Sequence, residues 1–380
     1  MGLAGAAVVG VAFGMARYAY GLTLPGIEED FDLSELLLGM IASGTFVGYL
    51  LGLVLAVPLA NRRGLRAPTT VGGLCGAVGA LLVTFAPSAA VLAVGAVLAG
   101  SAGGWVWATY SDIVRQAVDP ARRPRTLAII TTGTAVGLVG LGALGVLAAQ
   151  GAWRWVWAGI AVAAVLAALV NIRLAPRAAR AEHSTGQHGA AALLRVLKLP
   201  AIYSFIYFAV IIVYFTYAAE IVAEGELPAE AVPALYAVIG VTGVAGVTAG
   251  ALAQRLGSRA VAAWCLAAVA VALALLGWGQ DSLAATAASA AVFGAAYMIG
   301  SAVLAVWTAQ LVPDRASAAF TVCLVVGAVS SAAAPALAGM VIPALGLETL
   351  LIITGAISLV SGATLPWSRS ARAEDAATHR

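Results

Sequence analysis

The sequence predicts an all-α membrane protein, with twelve transmembrane helices in two pseudo-symmetric six-helix bundles. Apolar residues make up 62% of the 380-residue chain and charged residues 10%, whereas a soluble globular protein carries about 25% charged residues. Much of the apolar surface must therefore face lipid. A basic decapeptide also occurs twice, at 57–66 and 250–259, with Leu-Ala, an amide residue, Arg, Gly and Arg in register at an offset of 193. Each copy follows a long apolar run, which indicates two similar halves.

Twelve apolar runs are long enough to cross a bilayer, which takes about 20 apolar residues. In chain order they cover about 3–25, 35–59, 69–87, 89–113, 125–149, 153–174, 200–223, 231–254, 260–278, 283–309, 317–342 and 347–366. One long polar stretch separates six spans from six. We therefore predict an N-terminal bundle over 1–174, a linker over 175–199, a C-terminal bundle over 200–366 and a tail over 367–380.

The cations are distributed asymmetrically along this topology. Of the 20 Lys and Arg residues, 18 fall on one side, and the exceptions are Arg17 and Arg154. The other side is acidic, beginning with Glu28, Glu29 and Asp30 after span 1. The positive-inside rule therefore predicts that both termini lie in the cytoplasm.

Span 1 contains Arg17, the only basic residue deep in any predicted span. It lies roughly 20 Å along a helix that rises about 1.5 Å per residue, in the outer half of a ~30 Å hydrocarbon core. A charge at that depth is costly and is expected to face a cavity or a partner. One interpretation is an anchor for an anionic substrate, because guanidinium binds carboxylate bidentately. The alternative is a structural ion pair, or a side chain that extends outward past Tyr20.

Span 7 carries a stripe of tyrosines, Tyr203, Tyr207, Tyr214 and Tyr217, within about 80° of arc at about 100° per residue. An aromatic belt would place tyrosines only at the two ends of the span, so the stripe indicates the wall of a cavity. The alternative is helix packing, with the hydroxyls bonded to neighbouring backbone. The residues expected to bind substrate, drawn from spans 1, 2, 4, 7 and 10, are Arg17, Tyr18, Tyr20, Tyr49, Trp105, Tyr207, Tyr214, Tyr217 and Tyr297.

Glu220 lies near the outer end of span 7. One interpretation is that Glu220 couples transport to protons. A carboxylate in a partly dry cleft can take up a proton within the working pH range. The alternative is that it is the first residue of the acidic external loop. Because spans 1 and 7 occupy equivalent positions in the two halves, Glu220 is also the expected partner of Arg17 when the substrate site is empty.

The repeated turn resembles the best-known motif of the major facilitator superfamily, Gly-x-Leu-Ala-Asp-Arg-x-Gly-Arg-Arg between spans 2 and 3. The residues that match it in the two copies are Leu59, Ala60, Arg62, Gly64, Arg66, Gly250, Leu252, Ala253, Arg255, Gly257 and Arg259. Span 5 is rich in glycine, similar to the fifth helix of this family. The segment Ala152-Trp153-Arg154-Trp155 resembles the family's usual entry into the sixth helix. The segment from Phe13 to Tyr20 resembles the bacterial YbfB/YjiJ-type branch.

This resemblance implies a secondary transporter of the bacterial inner membrane with a gate at the repeated turns. In the family the acid of the motif latches the cytoplasmic side shut. Asn61 and Gln254 replace that acid here, so we expect a weaker latch. The residues expected to form the gate are Asn61, Arg62, Gly64, Arg66, Gln254, Arg255, Gly257, Arg259 and Asp112, the last of which is expected to pair with Arg115 on span 4.

We expect alternating-access transport of a small organic anion, coupled to protons. Two other hypotheses stay open: proton-driven efflux of amphipathic drugs, which leaves Arg17 without a role, and a non-transporting sensor or scaffold with a transporter fold. No phosphate-cradling loop, Cys/His metal spacing or catalytic triad occurs, so we expect no enzyme activity and no cofactor. The expected partners are a small-molecule substrate, protons and membrane lipids, with no nucleic acid, and the expected state is a monomer.

Overall fold

The computed structural model describes residues 2–119, 122–174 and 195–365. This part of the chain contains no strand and has twelve helices that are long and apolar enough to span a membrane. They are α1 (Gly2–Phe31), α2 (Glu35–Arg63), α3 (Arg66–Thr84), α4 (Ala89–Ala117), α5 (Arg123–Ala149), α6 (Trp153–Leu174), α7 (Lys198–Glu224), α8 (Ala231–Leu256), α9 (Ser258–Trp278), α10 (Leu283–Leu311), α11 (Ala316–Leu345) and α12 (Leu347–Thr364). The predicted all-α fold is confirmed, while most of the predicted linker and all of the tail lie outside the described residues.

The first helix is longer than the sequence predicted. The expected span ended at Pro25, but the helix continues to Phe31 with Pro25 inside it. A proline is tolerated in a membrane helix because neighbouring groups satisfy the freed backbone. The acidic residues after Pro25 are therefore helical, and Glu28 lies on the same helix as Arg17.

Small residues allow the helices of the first bundle to approach closely. A Cβ added to Gly137 of α5 would lie 2.0 Å from the carbonyl oxygen of Gly10 on α1, and one added to Gly14 would lie 2.5 Å from Cα of Gly137. These distances are below any van der Waals contact. The backbones of α1 and α5 are in contact, which is the packing expected of small residues in a bilayer.

The repeated turns adopt the same backbone conformation in the two halves. Gly64 ends α2 and Gly257 ends α8, and both have φ of 84°. The N–H of Gly64 donates to the carbonyl of Ala60 at 2.8 Å, and the N–H of Gly257 donates to that of Ala253 at 3.0 Å. A positive φ requires glycine at both positions. The sequence repeat is therefore also a structural repeat at one end of the molecule, called here the basic end, which carries Arg62, Arg63, Arg66, Arg255 and Arg259.

The two bundles meet closely at the opposite end, called here the acidic end, which carries Glu28, Glu35, Glu220, Glu224 and Glu230. Between α2 and α11, the N–H of Ala336 donates to Oγ of Ser43 at 2.9 Å. A Cβ added to Gly39 would lie 2.4 Å from the carbonyl oxygen of Pro335. On α1, a Cβ added to Gly21 would lie 1.9 Å from the carbonyl oxygen of Phe215 on α7. The acidic end is therefore closed in this conformation.

Candidate functional site

A cavity of about 180 Å³ lies between the two bundles, on the basic side of the closing contacts. Its described lining is mostly apolar and aromatic, with a small number of hydroxyls and one charged side chain, which is the usual character of a small-molecule site. Helices α1, α2, α4, α5, α7, α10 and α11 all contribute to it. The lining residues are Phe13, Arg17, Tyr18, Tyr49, Trp107, Thr131, Thr134, Phe208, Tyr297, Met298, Ser301, Ala302, Ala305, Phe320 and Leu324.

The charged residue is Arg17, which follows an irregular segment of α1. Residues Gly10–Ala16 are π-helical, and Tyr18 (φ −111°, ψ −3°) is the N-cap of the next α-helical segment, which begins at Ala19. π-Helical turns occur frequently at functional sites because they change the direction of the following side chains. Arg17 is only 6% exposed. The alternative in which it extends outward past Tyr20 is therefore not adopted in this conformation.

Aromatic rings surround the guanidinium of Arg17. Its Cζ lies 4.2 Å from the ring centroid of Tyr49, 5.1 Å from that of Phe46, 5.4 Å from that of Phe13 and 5.8 Å from that of Tyr18. Cation–π contacts of this kind stabilise a desolvated cation by about 0.5–2 kcal/mol each. The hydroxyls of Tyr18 and Tyr49 also interact with the guanidinium, while its Nε is buried without a hydrogen-bond partner and is left for another group.

The expected ion pair between Arg17 and Glu220 is not formed. No carboxylate among the described residues pairs with Arg17, and its Nε is buried without a hydrogen-bond partner. Glu220 lies instead at the acidic end, beside Glu28 and Glu35. Although α1 and α7 occupy equivalent positions in the two halves, the side chains of Arg17 and Glu220 do not meet. Glu220 lies further toward the acidic end than Arg17 and than the aromatic residues described next.

An aromatic layer separates the cavity from the acidic end. The hydroxyls of Tyr18 on α1 and Tyr297 on α10 share a hydrogen bond of 2.7 Å across the two bundles. The Tyr18 ring stacks on Phe215 at 3.7 Å between centroids, and Phe215 contacts Phe293 and Tyr297 edge-on. Tyr18 and Phe215 are both buried, so these packed rings form the boundary of the cavity on the side of the acidic end.

Four of the nine predicted substrate residues line the cavity: Arg17, Tyr18, Tyr49 and Tyr297. Tyr20 lies closer to the acidic end, where its hydroxyl donates to the carbonyl of Leu38 at 3.0 Å.

Trp105 faces the glycines of α2 and α3, Gly52 and Gly72, instead of the cavity. The neighbouring Trp107 lines the cavity in its place. The two residues lie on different faces of α4, because two positions along a helix correspond to about 200° of rotation.

The tyrosine stripe of α7 packs against neighbouring helices in this conformation. The hydroxyl of Tyr207 donates to the carbonyl of Tyr297 at 2.5 Å, that of Tyr214 shares a hydrogen bond of 2.9 Å with Ser289, and that of Tyr217 donates to the carbonyl of Pro335 at 2.9 Å. A buried tyrosine needs such a partner. The packing alternative therefore describes these three rings here, and they do not line the cavity.

Several cavity residues were not predicted from the sequence, chiefly Phe13, Phe208 and Phe320, together with hydroxyls of α5 and α10. Phe13 could have been predicted, because it lies four residues before Arg17 and therefore on the same face of the helix. Phe208 follows Tyr207 directly, so the stripe pointed to the wrong face of α7.

The expected gate residues lie at the basic end. Arg66 donates through Nη2 to the carbonyl of Ile172 on α6. Asp112 pairs with Arg115 at 3.0 Å, as expected for positions three apart on a helix. Gly64 and Gly257 form the two sharp turns described above.

Comparison with known proteins agrees with this architecture. Residues 6–248 match the family described as the Major Facilitator Superfamily. The chain is 26% identical over 293 residues to the purine ribonucleoside efflux pump NepI of Escherichia coli, covering 74% of this chain and 72% of the relative. It is 29% identical over 141 residues to a D-xylose-proton symporter-like protein of Arabidopsis thaliana, covering 36% of this chain and only 28% of that protein's length.

Solved structures share the fold. A partially occluded inward-open structure of the xylose transporter XylE from E. coli superposes with a TM-score of 0.78 at 14% identity, covering 97% of this chain and 96% of the other. A variant of the nucleoside transporter NupG superposes with a TM-score of 0.76 at 13% identity, covering 96% and 98%. With the family match over most of its length, the chain belongs to the Major Facilitator Superfamily of transporters.

Proposed function

We propose that this protein transports a small organic anion by alternating access, with Arg17, Tyr18, Tyr49 and Tyr297 at the substrate site. The observation that carries the proposal is Arg17, a buried cation that lines the cavity and pairs with no carboxylate in the described part of the chain. A buried charge persists when something compensates it. The aromatic rings supply part of that compensation, and an anionic substrate supplies the rest. The conformation described, closed at the acidic end, corresponds to the state that receives substrate from the basic end.

The cavity also limits the size and shape of the substrate. The cavity volume of about 180 Å³ suits a single-ring organic acid. The aromatic lining favours a flat apolar body, while Arg17 favours a carboxylate or sulfonate at one end. Efflux of amphipathic cations is the less favoured hypothesis, because the positive charge of Arg17 would repel them.

A nucleoside is a second candidate substrate. The relative that matches most of the chain is named as a purine ribonucleoside efflux pump, and the aromatic lining of the cavity could stack on a base. This candidate uses the same cavity but gives the charge of Arg17 no counterpart, so the two substrates can be separated by experiment.

The remaining assignments follow from charge and topology. We propose that both termini lie in the cytoplasm of a bacterial cell, because the basic end carries most of the cations, and that the bundles divide near 174 and 200.

Glu220, buried at the acidic end, is the proposed site of the coupling proton. We expect Glu220→Gln to abolish the pH dependence of transport while substrate exchange continues. The measurement is made in buffer without divalent cations, so that only protons compete for this carboxylate. A pH profile of net flux in proteoliposomes that matches the unmutated protein would contradict this assignment.

The proposed substrate class is tested by a matched ligand series. Benzoate, benzamide and benzylammonium have one ring and differ in charge, and a bound ligand raises the melting temperature by mass action. We expect stabilisation by benzoate or a related aromatic acid, and counterflow of the same compound in proteoliposomes. Stabilisation by benzylammonium alone would favour drug efflux, and stabilisation by nucleosides alone would favour the second candidate. Binding without counterflow would favour a sensor.

We expect Asn61→Asp to shift the protein toward the state in which the basic end is closed. The substitution restores the acid of the family motif next to the basic turn, and a charged hydrogen bond contributes about 1.5–3 kcal/mol. That corresponds to a population shift of roughly 10- to 150-fold. Spin-label distances between the bundles at the basic end measure the shift. Gln150→Glu, which adds a negative charge at the opposite end, is the control; equal distance distributions in both variants would reject the latch.

A further inference from the structure

A cluster of three carboxylates lies where the bundles meet at the acidic end. Glu28 comes from α1, Glu35 from the first turn of α2, and Glu220 from α7. One carboxylate oxygen of each lies within 4.8 Å of the corresponding oxygens of the other two. The cluster thus connects two helices of the first bundle to one helix of the second, and it is separated from the substrate cavity by the aromatic layer.

Two carboxylates of this cluster have a buried oxygen without a hydrogen-bond partner. Glu220 is 4% exposed, and its Oε2 is buried without a hydrogen-bond partner. Oε2 of Glu35 is buried and unpartnered in the same way. No Lys or Arg among the described residues pairs with these three side chains, because Arg154, the cation at this end, pairs with Asp30 at 3.2 Å. Unpaired buried carboxylates are strongly unfavourable.

A calcium ion would satisfy the cluster better than a proton or a magnesium ion. One proton offsets one of three negative charges, whereas a divalent cation offsets two and can accept oxygens from all three side chains. Ca²⁺ takes six to eight oxygen ligands at about 2.3–2.6 Å in a flexible geometry, including carboxylates that bind through one or both oxygens. Three carboxylate oxygens within 4.8 Å of one another can therefore share one such ion, whereas Mg²⁺ demands near-ideal octahedral geometry and usually keeps several waters beside one or two carboxylates.

We propose that Glu28, Glu35 and Glu220 form a calcium site that bridges the two bundles and stabilises the closed acidic end. The half-exposed Glu28 and Glu35 give the ion access from solvent, and Glu220 holds it on the second bundle. Eleven carboxylates and one arginine occupy this end of the described chain, and such a surface raises the local concentration of cations. Rocking of the bundles separates Glu220 from the other two, so the ion binds the closed state selectively.

The site goes beyond the proposed transport function and is separable from it. A proton on Glu220 and a calcium ion compete for the same oxygens, so the apparent calcium affinity falls at low pH. The other titratable groups that face the cluster are Glu224 and Tyr217 on α7 and Tyr20 on α1. Proton coupling is tested in calcium-free buffer, so a failure of the calcium site leaves it unaffected.

Terbium luminescence on the full-length protein in nanodiscs tests the site. Tb³⁺ replaces Ca²⁺ at oxygen sites, and excitation of Tyr20 and Tyr217 nearby sensitises its emission. We expect saturable emission that Ca²⁺ displaces at least tenfold more effectively than Mg²⁺. Glu220→Gln should weaken terbium and calcium binding at least tenfold, and the half-exposed Glu28→Gln provides a second variant less prone to misfold. Glu230→Gln, an exposed acid at the same end, is the control and should bind as the unmutated protein does.

A second measurement connects binding to conformation. Spin labels on Glu29 and Glu230, one on each bundle, should report a shorter distance at the acidic end when Ca²⁺ is added, and Glu28→Gln should remove this response. Emission that Ca²⁺ does not displace, or calcium affinity that is equal in the Glu28→Gln, Glu220→Gln and Glu230→Gln variants, would overturn the proposal. Calcium binding with no change in distance would overturn its role in closing the acidic end.

Discussion

We expect Arg17→Lys to lose most anion transport although it keeps the positive charge. A guanidinium offers a planar fork that binds a carboxylate bidentately, whereas an ammonium binds it as a point charge. Loss of one charged hydrogen bond costs about 1.5–3 kcal/mol, or roughly 10- to 150-fold in the affinity for the anion. The shorter ammonium would also lose contact with the rings that surround the guanidinium, whose nearest centroid is that of Tyr49 at 4.2 Å. Counterflow of the stabilising aromatic acid in proteoliposomes measures the effect.

Two further variants make this experiment decisive. Arg17→Ala removes the charge and should abolish anion binding in the thermal-shift assay. Arg154→Lys is the matched control, because Arg154 pairs with Asp30 at the acidic end and does not line the cavity; it should transport normally. Normal anion flux in both Arg17 variants would eliminate the anchor role and favour a neutral or cationic substrate.

The sequence was sufficient for the fold but only partly sufficient for the site. Membrane spans are determined locally, by runs of apolar residues about 20 long, so the twelve helices could be predicted before their packing was known. Arg17 could also be recognised locally, since a charge in the middle of an apolar span is unusual wherever the helix packs. Most of its surroundings could not, because Phe208 and Phe320 come from helices that are distant in sequence; Tyr49 was among the predicted substrate residues.

Irregular helical geometry accounts for most of what the sequence did not predict. An ideal helical wheel assigned the stripe of α7 to the cavity wall, yet Tyr207 and Tyr214 bond to α10 and Phe208 lines the cavity. The sequence predicts that span 1 ends at Pro25 and that the acidic segment after it lies outside the span. Because that segment is helical, Glu28 is held beside Glu220, and a three-carboxylate cluster arises that no local pattern indicated.

We expect Gly21→Ala to prevent closure of the acidic end. A Cβ at this position would lie 1.9 Å from the carbonyl oxygen of Phe215, 2.9 Å from its carbonyl carbon and 3.1 Å from Cα of Thr216. These are backbone atoms, so no side-chain rearrangement relieves the overlap. The contact joins α1 of one bundle to α7 of the other, and the overlap disappears when the bundles separate at this end. Overpacking costs about 1–3 kcal/mol, which lowers the population of the closed state roughly 5- to 150-fold.

Two control glycines distinguish this effect from a loss of stability. Gly137→Ala produces a similar overlap, 2.0 Å from the carbonyl oxygen of Gly10, but within the first bundle, where rocking cannot relieve it. It should lower the melting temperature without changing the distance between bundles. Gly250→Ala, with no neighbouring atom within 4 Å of the added Cβ, should change neither.

Spin labels on Glu29 and Glu230 should therefore move apart only in Gly21→Ala. Net transport should also fall in this variant, because a transporter that cannot close one end cannot alternate. Gly21→Ala could instead lower the melting temperature, as Gly137→Ala does, and leave the distance between the labels unchanged. In that case α1 and α7 do not separate during the cycle, and rocking of the two bundles does not describe this protein.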